Sequence, residues 1–380
     1  MKIAIYETVH LECLLPLAEC LKDSPYQITF FVNELMREDI NTTLPVECYL
    51  KFTWVYMQEV SILSFYKFLD KQFSLYRFDL LWLNTIDSKH IVFALLGSKY
   101  KKMKLLINVH EINNFFRPHA GVNLKSLIRS SGKKILSHIA YAYLLNADKM
   151  KENIVALKLT KKNCYTISPV FYKANVNVQP PKEMFTVIIA GTVDERRRDY
   201  RIALNAWKIF TGSRKNTVDA ELILAGGISS NGIEIEKICR TDKILQKTVT
   251  IFDREIPEYI FRKLLAGASV ILSPLNTTTS TSDNIIELYG ITKTSGNTYD
   301  AIRHAKPYII PAQLTIPGEI ETSAIRYSGE KELVSILEKL CNEKAVLDLY
   351  TKNAVENSQK FTYERMRQKV SDMLVDILKD

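Results

Sequence analysis

The chain alternates short apolar runs with amphipathic stretches, and it does so twice over. Residues 2–6, 27–32, 79–83 and 104–109 read as buried strands, with helical spacing around 13–21, 60–76 and 124–145. A second series has strands at 185–190, 221–225, 249–252, 270–272 and 307–310. Helical patterns lie between them at 200–210, 234–240, 257–265 and 298–305. Strands that alternate with helices form a parallel sheet covered by helices on both faces. The two series meet at residues 176–182, where Pro180 and Pro181 favour an extended linker. The stretch from Glu330 reads as helix throughout, with Asn353 and Asn357 as its weak points.

The expected fold is therefore α/β, with two doubly wound Rossmann-like domains facing a central cleft. The expected domains span 1–175 and 183–355, and 356–380 is expected to form a helix packing back toward the N-terminal domain. Ligands of such sheets bind where loops and helix N-termini converge at the carboxyl ends of the strands. At 380 residues the chain is long enough for two such domains.

Composition narrows the partners. The six cysteines, Cys13, Cys20, Cys48, Cys164, Cys239 and Cys341, lack any CxxC or Cys/His spacing. Reduced thiols in a cytoplasmic protein are expected, with no bound metal. No apolar run reaches the ~20 residues of a spanning helix, and the first residues read as a strand rather than a signal peptide. The net charge of +9 suits a phosphorylated ligand or an anionic membrane surface. Nucleic acid is discounted, because no helix-turn-helix, zinc-finger or RNP pattern accompanies the charge.

Three loops carry candidate chemistry. Lys293-Thr294-Ser295-Gly296-Asn297-Thr298-Tyr299-Asp300 opens a helix. Its free amides and the helix dipole make an anion site suited to a diphosphate, with Lys293 as an added charge. Asp300, placed in the first helical turn, would accept both hydroxyls of a ribose. The competing reading is helix capping by Ser295 or Thr298. The second loop is Gly191-Thr192-Val193-Asp194-Glu195-Arg196-Arg197-Arg198 after the strand at 185–190. Gly191 permits a tight turn, and Arg197 or Arg198 is expected to grip phosphate oxygens. Arg196 reads as a solvated turn residue. The third loop, His110-Glu111, follows the strand at 104–109 and places an imidazole and a carboxylate at the sheet edge. Glu7 or His10, after the first strand, could contact an acceptor.

The second and first loops together resemble the donor-binding domain of GT-B-fold glycosyltransferases, in particular the family-4-like retaining group. The resemblance rests on Gly191 and Arg198 before a helix ending in Ala206-Trp207. It rests also on Asp300-Ala301-Ile302-Arg303-His304-Ala305-Lys306-Pro307, with Asp300 for the usual glutamate. It covers residues 185–345 well and the N-terminal half in outline. It implies that Arg198 binds donor phosphate, Asp300 the ribose, and His110 the transferred sugar, with Glu111 orienting it or the acceptor hydroxyl. The family's glycine pair after the first strand is absent. The first of its two glutamates is absent too, Thr292 standing in that place and Glu287 lying further upstream.

The activity implied is transfer of a sugar from a nucleotide-sugar donor to a glycan or lipid-linked acceptor, as in surface polysaccharide or glycoconjugate synthesis. No cofactor is expected. No Asp-x-Asp motif is present, so Arg197 or Arg198, Lys293 and the amides of Ser295–Thr298 would neutralise the leaving diphosphate. Retention follows from the resemblance alone. The basic clusters and the amphipathic 124–145 segment fit an acceptor at the inner face of a membrane, against the alternative of a core-packing helix with a basic outer face. The rival readings are a sugar-nucleotide epimerase on the same fold and a non-catalytic GT-B-like scaffold.

Overall fold

The computed structural model describes residues 1–86, 88–119, 123–174, 184–213, 219–280 and 284–379. The proline-containing segment at 176–182 lies outside the described residues. The chain forms two compact units: Met1–Val170 with Ser280–Thr294 and Tyr363–Asp380, and Phe171–Thr279 with Ser295–Thr362.

The first unit holds strands β1 (Lys2–Glu7), β2 (Gln27–Asn33), β3 (Thr53–Met57), β4 (Leu80–Leu83), β5 (Lys104–Asn108), β6 (Ala142–Leu145) and β7 (Asn163–Thr166). They pair in parallel in the order β3-β2-β1-β4-β5-β6-β7. The second unit holds β8 (Phe185–Ala190), β9 (Ala220–Ala225), β10 (Val249–Ile251) and β11 (Val270–Leu272). The short β12 (Thr278–Ser280) and β13 (Ile286–Leu288) follow along the chain, then β14 (Tyr308–Pro311) and β15 (Ala324–Tyr327). Its sheet is parallel too, in the order β10-β9-β8-β11-β14-β15. This is the expected fold class: two Rossmann-like α/β domains of the GT-B type. β4, β6 and β8 are buried along their whole length, as strands covered on both faces must be.

Six strands, β3, β6, β7, β12, β13 and β15, do not stand out in the sequence pattern. The segment read as one helix from 124 to 145 is the helix Leu124–Ile139 followed by β6. The helix stops at Ala140, whose backbone is extended (ψ 139°). Lys162 holds it there, donating Nζ to Ser137 O at 3.1 Å and to the His138 and Ala140 carbonyls. The C-terminal stretch is three helices, Glu330–Asn342, Lys344–Ser358 and Tyr363–Leu378. It does not break at the asparagines: Asn357 sits inside a helix and donates Nδ2 to the Thr322 and Ser323 hydroxyls at 2.9 and 3.0 Å. The Tyr363–Leu378 helix joins the first unit, where Tyr363 Oη donates to Glu19 O and Lys104 Nζ donates to Ile377 O.

Buried clusters pack against the sheets of both units. The first gathers Phe31, Phe65, Phe73, Phe93 and Tyr143, and the second Tyr200, Trp207, Phe210, Leu333 and Leu337. Strand order reverses once per sheet, between β1 and β4 and between β8 and β11. Loops diverge at these points and leave a crevice at the carboxyl ends of the strands. Among the described residues no helix is long and apolar enough to cross a membrane.

Candidate functional site

In the first unit, neighbouring strands end on polar side chains that meet at the reversal point. Glu7 ends β1 and is fully buried. Its Oε1 accepts the backbone N–H groups of Val9 and His10, both at 2.8 Å. Its Oε2 accepts Asn84 Nδ2 and Thr85 Oγ1, both at 2.7 Å. Burial pushes its carboxyl up, opposed by His10 and by these donors. Glu7 is thus the keystone that shapes the loop, with its hydrogen bonds directed inward.

His110 follows β5 by two residues. Its Nε2 lies 2.7 Å from Asn84 O and 3.1 Å from Thr85 Oγ1, and its Nδ1 lies 3.3 Å from Asn146 Nδ2. A carbonyl only accepts and an amide NH₂ only donates, so the proton sits on Nε2. Burial, with His10 beside it, lowers its pKa to about 4. The ring is neutral, and both its nitrogens are committed.

The His10 ring packs against His110 at 5.2 Å between centroids. Here the balance reverses. Burial works against the charged form, but Glu12 Oε1, 2.8 Å from Nδ1, and the charge of Glu7 push the pKa up to about 9. One imidazolium and one neutral imidazole therefore stand side by side.

Glu111 is held from two directions. Its Oε2 accepts Asn114 Nδ2 at 2.7 Å, and its Oε1 pairs with Lys293 Nζ. Burial would raise its pKa, but Lys293 and Asn114 hold it below the ordinary carboxylate value. Lys133, itself buried, donates to Asn114 Oδ1 at 2.6 Å. Lys293 was expected beside the helix start at 295–298. It belongs instead to the Ser280–Thr294 segment of the first unit, and its charge is spent on Glu111. The same segment is pinned by Ile112 N to Thr292 O at 2.9 Å and Asn113 Nδ2 to Ile286 O at 2.9 Å. Buried Glu287 accepts Asn114 N at 2.7 Å on Oε1, leaves Oε2 unpartnered, and has its pKa raised by burial.

In the second unit the reversal point holds a compact polar knot. Gly191 directly follows β8 with φ +91°, a conformation that L side chains rarely adopt. A Cβ there would lie 2.9 Å from an Arg198 guanidinium nitrogen. Arg198 donates to Ala190 O at 2.7 Å, Thr192 O at 3.0 Å and Asn297 Oδ1 at 3.1 Å, and its buried Nε has no partner. Asn297 in turn donates to Ala190 O at 2.9 Å and accepts Ser273 Oγ at 3.1 Å. Arg198 and Asn297, 99 residues apart, are thus brought together.

The helix Gly296–His304 starts here, with Ser295 at its N-cap and no side-chain cap. Gly296 is exposed, and a Cβ on it would meet nothing within 4 Å. This helix start thus has no side-chain cap and is open at Gly296, the arrangement an anion site uses. Thr298 is buried and its hydroxyl lies 3.4 Å from Tyr308 Oη. Asp300 falls in the second turn rather than the first, because the helix begins two residues earlier than the pattern indicated. Arg196 is diverted to buried Asp194 at 2.7 Å, and Arg197 is exposed.

Sequence reasoning missed Asn84, Thr85, Asn108, Asn146 and Ser273. Their shared signal is a polar residue closing or directly following an apolar strand. Among the described residues no group of three or more His, Cys, Asp or Glu is arranged to hold a metal ion.

No family model matches the chain, and no curated protein matches it in sequence. Solved structures do match over its whole length. The Anabaena protein HepE in complex with UDP superposes with a TM-score of 0.67 at 13% identity, covering 99% of this chain and 100% of that one. The pneumococcal O-GlcNAc transferase GtfA, in complex with UDP and GlcNAc, gives 0.67 at 9% identity, covering 100% and 99%. The UDP-GlcNAc 2-epimerase of Neisseria meningitidis bound to UDP-GlcNAc gives 0.61 at 12% identity, covering 99% and 100%. The likeness at these identities is one of fold.

Proposed function

We propose that this chain is a glycosyltransferase that takes a sugar from a nucleotide-sugar donor and passes it to a glycan or lipid-linked acceptor, in surface polysaccharide or glycoconjugate synthesis. The observation that carries the reading is the knot of Gly191, Arg198 and Asn297 beside the uncapped start of the Gly296–His304 helix. A guanidinium and free helix amides are what a diphosphate needs. The Arg198 Nη1 edge of the guanidinium is its exposed side. By this reading Arg198 and the amides of Gly296 and Asn297 hold the diphosphate, Ser295 and Thr298 shape the turn, and Asp300 takes the ribose. Arg197 stands at the exposed edge of the same loop.

The same groups neutralise the leaving diphosphate, so transfer proceeds without a divalent metal; each such donor is typically worth ~3 kcal/mol in a transition state. His110 and Glu111 belong to the sugar and acceptor side, as positioning groups. Neither is free to accept a proton: His110 has both nitrogens engaged and Glu111 is ion-paired. The departing diphosphate is then the base for the acceptor hydroxyl, which favours retention of anomeric configuration. The protein works in the cytoplasm, at the inner face of an anionic membrane.

The similarity to an epimerase of comparable TM-score supports a second reading, epimerisation of the sugar nucleotide itself. That reaction needs a free base for a carbon-bound proton, and the committed state of His110 and Glu111 weighs against it. Product analysis separates the two. A transferase releases nucleoside diphosphate only in step with acceptor glycosylation, and His110→Ala lowers that rate. Conversion of donor into an epimer without acceptor would replace the first reading by the second.

A further inference from the structure

The helix Leu124–Ile139 is packed with its apolar face turned outward. Its buried residues are Ser126, Ser130, Gly132, Lys133 and Leu136. Its exposed aliphatic residues are Leu124 at 70%, Leu127 at 50%, Ile128 at 37% and Ile135 at 38%. At helical spacing these four fall within about 100° of one another, on the side opposite Ser126 and Lys133. The inner face is made for close approach: a Cβ on Gly132 would come within 2.6 Å of Ile91 N. Compare the helix Tyr200–Gly212, which buries Tyr200, Leu204, Trp207 and Phe210.

The charge on the helix narrows the occupant. Its sequence contains Lys125, Arg129, Lys133 and Lys134 and no acidic residue. Lys133 is used inside the unit. Lys125 and Lys134 are exposed and flank the aliphatic stripe on its two sides. Aliphatic side chains bordered by cations fit the boundary between acyl chains and anionic headgroups, where an amphipathic helix lies in the plane of the surface. A partner protein of ordinary composition would not need the strictly one-signed rim.

We infer that the Leu124–Ile139 helix is an interfacial anchor that seats the first unit on an anionic lipid bilayer, with Leu124, Leu127, Ile128 and Ile135 inserted and Lys125 and Lys134 at the headgroups. This deepens the membrane part of the reading above and rests on it only for biological sense. The binding itself requires no sugar nucleotide.

The test is flotation of the full chain with vesicles of phosphatidylcholine alone and of phosphatidylcholine mixed with phosphatidylglycerol. Binding to the mixed vesicles, weakened by added salt and absent from the neutral ones, is expected. Leu127→Ser with Ile128→Ser should weaken it by roughly tenfold or more, since two buried aliphatic chains are lost. The melting temperature and the response to UDP should stay unchanged, because both positions are exposed. Absence of flotation, or flotation indifferent to the double substitution, overturns the inference. So does self-association of the native chain that the substitution abolishes, which would assign the face to a second copy. Flotation that persists in a chain that ignores UDP would leave the anchor standing and remove the transferase reading.

Discussion

Two neighbouring imidazoles, His10 and His110, hold different charge states because different forces dominate each. His110 gives its nitrogens to a carbonyl and an amide, so burial decides and the pKa falls to about 4. His10 gives its Nδ1 to Glu12, so the carboxylate decides and the pKa rises to about 9. Histidine NMR titration should therefore show one ring titrating near each value, and His10→Gln should remove the upper one. Linkage gives the sign for stability. The contribution of His10 is complete below its unfolded value of 6.5 and is lost as pH climbs toward about 9. That of His110 is complete above 6.5 and is lost as pH falls toward about 4. His10 is 38% exposed, so solvent screens its share and the acid-side loss should be the larger. Glu7 offers a sharper residue test. Glu7→Ala would strand four donors in a buried place, at a cost of about 3 kcal/mol or more, read by urea denaturation. Gly191→Ala should cost at least ~1 kcal/mol, since the position combines a left-handed φ with a guanidinium in the way of a Cβ.

At the scale of elements, what was legible depended on whether the deciding contact was local. β8 and β11 are legible at their true bounds, because six and three consecutive buried residues leave an uncharged, mostly apolar run. β6 was lost inside a helix because the stop signal is not a glycine or proline nearby but Lys162, 22 residues beyond Ala140. Lys162→Met should loosen the helix end and the start of β6, by about 1 kcal/mol, seen as faster amide exchange at residues 137–142. The site followed the same rule. Gly191 and the helix start at Ser295 declared themselves through residue type and position. The use of Lys293 did not, because its partner Glu111 is 182 residues away and only the folded first unit brings them together. The strand-end asparagines were overlooked for a related reason: each is unremarkable alone and acquires a role only once its neighbour in the sheet is known.

At the scale of the molecule, each sheet reverses its strand order once, and each reversal point carries a different kind of chemistry. The first presents a committed network of carboxylates, amides and imidazoles around Glu7 and His110. The second presents a guanidinium beside a helix start that has no side-chain cap. The first looks built to hold shape and the second to hold an anion, which is the division of labour proposed for acceptor and donor. Its most direct test is calorimetric titration of the full chain with UDP, without added metal, beside the Arg198→Ala variant. Binding by the native chain, unaffected by a metal chelator and lost in a variant of unchanged far-UV spectrum, is expected. Failure of the native chain to bind any nucleoside diphosphate, or binding that survives loss of the guanidinium, would contradict it.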